Sequence, residues 1–276
     1  MSDIGAQFRA LHSKGNPFLL PNAWDVGSAV ILESLGAKAV ATTSAGYCFS
    51  RGQVDGGTLT RDEALAHAQD LVSVLSVPVT GDFENGFGDA PEDVVETIKL
   101  SAEIGLAGCC IEDTALPGEE PYDYDLSVER IRAAASAAKS LQKDYVLIAR
   151  ADGLMLGQYD LDEAIRRVQA FEAAGADGVY VPALPDIDAA QRLVDSVDVP
   201  VSILTSGSMA KYSWSDFARI GAARLSTGGS LSRVAYGAAI KTMQNMQNGN
   251  FDGLTEAIAE NRLNELLTKS GGGRNA

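Results

Sequence analysis

The chain has 276 residues, 46% of them hydrophobic, enough to bury one sizeable core, and it reads as a single domain spanning residues 1–276. Its 22 basic and 37 acidic residues give a net charge of −15 spread along the chain, which argues against nucleic acid as a partner and requires that an anionic substrate be met by local positive charge or a metal ion. No stretch reaches the roughly 18 apolar residues of a membrane span, the N-terminus lacks a cationic and then apolar leader, and Cys48, Cys109 and Cys110 are an odd set, so a cytoplasmic protein with reduced thiols and no membrane partner is expected.

Taken in chain order, Ser2–Ser13 reads as a helix ahead of the first strand. Eight short apolar runs then follow: Phe18–Pro21, Ala37–Thr42, Val77–Asp82, Ala107–Glu112, Tyr145–Arg150, Gly178–Pro182, Pro200–Leu204 and Ala223–Ser226. Each has the length and the Val and Ile content of a buried parallel strand. The segments between them have helical spacing, as in Ala64, Leu65, Ala68, Leu71, Val72 and Leu75. Thr60 with Glu63, Asp160 with Glu163 and Ser213 with Asp216 are spaced as N-terminal caps, and Pro91 suits a first turn. Gly36, Gly105, Gly175 and Gly221 each stand where a helix ends in a left-handed residue before the next strand. After the last strand, Leu231–Gln247 and Leu254–Thr268 read as two more helices, and the residues from Gly271 as a disordered tail. Strand and helix alternating eight times, with the same joint repeated, predicts an α/β fold closed into a (β/α)8 barrel rather than an open doubly wound sheet.

In such a barrel the reactive groups project from the C-terminal ends of the strands. Those ends carry Ser44-Ala45-Gly46, Asp82-Phe-Glu84, Glu112-Asp113 and Arg150-Ala-Asp152. Carboxylates gathered on one dry rim repel one another, and a hard divalent cation is the usual remedy. No His or Cys has ligand spacing with these acids, so the oxygen-only set points to magnesium, with manganese as the alternative, rather than zinc or iron. Asp82 is expected to touch the ion, with Glu84 and Glu112 holding its waters; two residues apart on an extended segment, Asp82 and Glu84 would share a face. The planar fork of Arg150 suits a substrate carboxylate or a developing oxyanion, or else a structural ion pair with Glu112 or Asp113. Ser44, Ala45 and Gly46 could offer hydroxyl and N–H groups to a carboxylate.

At these residues the sequence resembles the isocitrate lyase/phosphoenolpyruvate mutase superfamily, from Leu20-Pro-Asn-Ala-Trp-Asp25 to Arg224-Leu-Ser-Thr-Gly228. Asp82-Phe-Glu-Asn-Gly-Phe-Gly88 is similar to the family's acidic metal loop, Ile111-Glu-Asp113 to its next metal-shell acid, Ile148-Ala-Arg150 to its substrate arginine, Ser44-Ala-Gly46 to its carboxylate loop, and Asp55 to a further active-site acid. The resemblance implies a magnesium-dependent barrel enzyme working through an enolate-like intermediate, assembled as a tetramer or dimer. Thr114–Asp125 departs from the family's lyases: it has no Cys, Lys or His where they carry a Lys-Lys/Arg-Cys-Gly-His motif with the Cys as acid/base. Val181-Pro-Ala-Leu184 likewise stands where the lyase glutamate is found. The leading expectation is therefore a lyase acting on a small 2-oxo or 2-hydroxy (di)carboxylic acid, with Asp55, Arg150 and Tyr124 catalytic and with Ser44, Ala45, Gly46, Arg150 and Asp82 holding substrate. A hydrolase or mutase of a phosphonopyruvate-type C–P bond, and a barrel that only binds a 2-oxo acid, are the alternatives.

Overall fold

The computed structural model describes residues 3–118 and 120–269, and the expected tail from Gly271 lies outside them. Eight parallel strands form one sheet: β1 (Phe18–Leu20), β2 (Val40–Ala41), β3 (Val79–Asp82), β4 (Gly108–Glu112), β7 (Val146–Arg150), β8 (Gly178–Tyr180), β9 (Val201–Leu204) and β10 (Arg224–Ser226). Their order around the sheet is β1-β10-β9-β8-β7-β4-β3-β2. The two ends meet through an Asn22–Ala41 bridge, where the Ala41 N–H donates to Pro21 O at 3.0 Å and the Ala23 N–H to Ala41 O at 2.8 Å. The barrel is thus closed, and each strand lies within one of the eight apolar runs. Two further short strands, β5 (Thr114–Ala115) and β6 (Glu120–Pro121), pair antiparallel in the segment after β4.

The caps read from the sequence are formed: Thr60 and Ser213 close reciprocal boxes with Glu63 and Asp216, Asp160 accepts from the Glu163 N–H, and Pro91 opens its helix. Gly105 and Gly175 take φ of 93° and 103° at helix ends, a region that costs other residues about 1 kcal/mol or more.

Two apolar cores result. The larger lies between the strands and the surrounding helices, and the smaller fills the barrel itself from Phe8 through Phe18, Leu20, Ala41 and Ile148 to Cys110 and Tyr180. Phe8 belongs to the N-terminal helix Ile4–Leu11, which closes the barrel at the N-terminal ends of the strands. That helix is tightly seated: a Cβ added at Gly5 would lie 1.7 Å from Asp144 O. Arg9 ties it to Asp144 at 2.7 Å and Asp177 at 2.6 Å.

At the other terminus the helix expected over Leu254–Thr268 is divided. A 3-10 turn covers Asp252–Glu256, Ala257 is extended, and an α-helix follows over Glu260–Lys269. The broken stretch has no core to pack against, and Leu266 is the one buried apolar side chain of this end among the described residues. No described helix is long and apolar enough to cross a membrane.

Candidate active site

The strands deliver their terminal side chains to one rim, and Arg150 is its hub. Its Nη1 lies 3.5 Å from Asp82 Oδ1 and 3.2 Å from Glu112 Oε2, and its Nε donates to Asp152 Oδ1. Asp82 and Glu112, from neighbouring strands, thus converge on a single nitrogen. The guanidinium also lies over the Tyr180 ring, 5.5 Å from its centroid. Arg150 therefore forms the ion pair with Glu112 that the sequence allowed, and it also lines the cavity. Asp113 is turned away from it, accepting from the Asp152 N–H, Tyr159 and Arg167 at 2.8–3.0 Å.

Ser44 and its neighbours do not form a loop: they open the helix Ser44–Ser50, which Thr43 caps by accepting from the Gly46 N–H. Small residues can leave a strand in either way, and the capping Thr decides for helix. This turn brings the Ser44 N–H to Asp82 Oδ2 at 3.0 Å and the Ser44 hydroxyl to 3.3 Å from the same oxygen. Ala45 lines the cavity beside Ser44, whereas Gly46 is pressed against Thr43 and Trp24, where a Cβ would lie at 2.7 and 2.8 Å. Asp55, on the following loop, shares the Ser44 hydroxyl with Asp82.

Glu84 differs from expectation. The strand ends at Asp82, and Glu84 takes a φ of 45°, so strict alternation no longer applies to the pair. Its Oε1 accepts from the Gly57 N–H at 2.9 Å, and its side chain lines an adjoining cleft with Arg61 and Asp89. Tyr124 is also elsewhere: its ring lies 3.6 Å beneath the Arg166 guanidinium, outside the residues that line the cavity. Tyr122 is locked, donating to Asp89 at 2.7 Å and accepting from Asn85 at 2.9 Å beneath Arg130.

The rim is short of positive charge. Burial pushes Glu84 up to about 7, with Asp82 and Asp55 adding repulsion. Burial and then Asp152 hold Glu112 well above the usual carboxylate range in spite of Arg150. Asp152 is raised by burial to about 6, and Asp55 is raised by loss of water and by Asp82. These acids are oxygen donors starved of a counter-charge, which fits a hard divalent cation. Among the described residues no three His, Cys, Asp or Glu side chains are drawn together as a finished cage. Magnesium does not demand one, because it takes one or two carboxylates directly and keeps its waters.

The cavity enclosed by these groups is about 280 Å³, the size for a small acid. Asn22 stitches its seam, donating to Thr42 O and accepting from the N–H groups of Thr227 and Gly228. Arg224 and Tyr180 also line it and were not among the expected site residues. The available signal for Arg224 was a charge placed inside an otherwise apolar strand run.

The arrangement defines a barrel whose cavity opens on an acidic, cation-seeking rim. Residues 8–247 match the profile of the phosphoenolpyruvate phosphomutase family, and the chain belongs to the isocitrate lyase/phosphoenolpyruvate mutase superfamily of enzymes. It is 31% identical to 2-methylisocitrate lyase of Escherichia coli K12, over 71% of this chain and 68% of that one. It is 30% identical to oxaloacetate decarboxylase of Chromohalobacter salexigens, over 87% and 82% of the two chains. A solved structure from Burkholderia cenocepacia J2315 superposes with a TM-score of 0.91 at 40% identity, covering 97% of this chain and 98% of that one.

Proposed function

We propose that the enzyme cleaves a carbon–carbon bond of a small 2-oxo or 2-hydroxy (di)carboxylic acid, leaving an enolate that is then protonated. The reading is carried by one observation, the meeting of Asp82 and Glu112 on Arg150 Nη1 beside Ser44. A magnesium ion, or manganese in its place, held by Asp82 directly and by Glu84 and Glu112 through water, would supply a Lewis acid at the substrate carbonyl.

The chain's own groups account for the rest. Arg150, fixed by three carboxylates, presents a permanent positive charge to the oxygen on which negative charge develops. Ser44 and Ala45 form the wall against which the substrate carboxylate rests. Asp55 sits beside Asp82 with a raised affinity for a proton, which suits it to move one at the reacting carbon. The buried strand ends exclude water and so keep these charges effective.

Asp82→Ala should abolish turnover of oxaloacetate-type substrates and the magnesium-dependent rise in melting temperature together. Full turnover by this variant with chelator present would end the reading. The match to the phosphomutase family favours C–P chemistry as the second reading. Release of inorganic phosphate from phosphonopyruvate, with no pyruvate or carbon dioxide from oxaloacetate, would establish it instead.

A further inference from the structure

Below the rim the barrel holds a cation that the proposed chemistry does not use. Arg224 on β10 is 4% exposed, and neither its Nε nor its Nη1 has a hydrogen-bond partner. No carboxylate lies within ion-pair distance of it among the described residues. Every other buried arginine at or near the rim is satisfied: Arg150 by three acids, Arg167 by Asp113 and Glu163, Arg130 by three carbonyls. A buried guanidinium left unpaired is strongly destabilising, so such a group asks for a ligand.

Its surroundings are orphaned in the same way. In the strand register Arg224 pairs with Ser202, and Ser202 with Tyr180, so the three face the same side across β10, β9 and β8. Ser202 Oγ is buried without a partner, and so is Thr80 Oγ1 on β3. Arg224, Tyr180 and Thr80 line the same cavity as Asp82, Ser44 and Arg150. One cavity therefore has two differently charged levels: acids with Arg150 at the rim, and an unpaired cation with the free Thr80 hydroxyl beneath.

From this geometry we infer that Arg224 is a specificity-determining residue that receives a second carboxylate, so that the enzyme selects dicarboxylic over monocarboxylic acids. The inference rests on the rim being a 2-oxo or 2-hydroxy acid site. A substrate with one end at Arg150 and Ser44 would set its other carboxylate against Arg224, with Thr80 able to donate to it. A monocarboxylic acid would leave that level empty. Arg224 makes no contact with the reacting carbon in this arrangement and acts on affinity.

Lactate and malate are a matched test, since both offer a 2-hydroxy acid and malate adds one carboxylate. Calorimetric titration of the whole chain with magnesium should show malate binding at least ten-fold more tightly than lactate. Arg224→Gln should bring malate down to the affinity of lactate, and Arg224→Lys should retain part of the difference. Equal affinities of the two acids for the unmodified protein would overturn the inference while leaving the rim reading intact, as would an undiminished preference for malate in folded Arg224→Gln. An internal water satisfying Arg224 would give that pattern. If neither acid binds, the rim reading fails and the inference falls with it.

Discussion

Glu84 stands where β3 gives way to a turn, in a left-handed conformation that costs a non-glycine residue about 1 kcal/mol, with a carboxyl that keeps its proton up to about pH 7. Together with Glu112, Asp152 and Asp55 it makes the metal-free protein pH-sensitive in a definite direction. These groups hold protons in the folded chain at pH values where the unfolded chain has released them, so stability falls as pH rises from about 4.5 to about 7. Glu84 alone contributes on the order of 3 kcal/mol to that fall. The melting temperature without metal should therefore drop between pH 5 and pH 7.5, and magnesium should restore it most at the upper end. A metal-free melting curve that is flat or rising over this window would contradict the assignment of the rim. Asp82, Glu112 and Arg150 were legible in the sequence because a strand-end position fixes where a side chain goes. The orientation of Glu84 was not, because it depends on a backbone dihedral that leaves the extended region. Tyr124 was misplaced because its ring answers to Arg166, a partner far along the chain that no local spacing discloses.

The segment from Asn85 to Asp89 has few hydrogen bonds of its own, such as Phe87 N–H to Asn85 Oδ1 at 3.0 Å, and is held chiefly from below. Arg130, 1% exposed on the helix Tyr124–Ser140, donates to the carbonyls of Asn85, Gly88 at 2.7 Å and Asp89 at 2.5 Å, while its cation faces the Tyr122 ring. Arg130→Met should strand three carbonyls and lower stability by about 3–5 kcal/mol, read as a fall of the melting temperature by at least about 5 °C. A change of less than about 1 °C would show that the loop holds its shape unaided. The helices and strands that frame this loop were readable from caps and apolar period. The strut was not, since a buried arginine looks like a surface one until the tertiary structure turns it inward. The division of Leu254–Thr268 has the related cause that propensity alone does not hold a helix without a surface to bury.

The helix Ser230–Gln247 buries only Ser232 among its residues, and Val234, Ile240 and Met243 are 69%, 57% and 53% exposed. An 18-residue helix carrying such a face, beside exposed Phe251, Leu254 and Ile258, is the kind of surface that subunits cover. Light scattering after gel filtration should accordingly give a mass two or four times that of the protomer, and Ile240→Asp should shift it towards one. A monomeric unmodified chain would remove this expectation. The closed barrel itself could be foreseen from eight alternating strand–helix units and the joint repeated at Gly36, Gly105, Gly175 and Gly221, whereas the bare helix could not, because its pattern reads the same whether its own chain or a neighbour lies against it.

Among the described residues the short helix Ile4–Leu11, with Phe8 driven into the base of the barrel, stoppers the cavity from below and leaves the rim as its mouth. In the proposed cleavage, substrate enters and both fragments depart through the same mouth, so departure is sequential. The piece seated deepest leaves last and should compete with incoming substrate, whereas the outer piece should not.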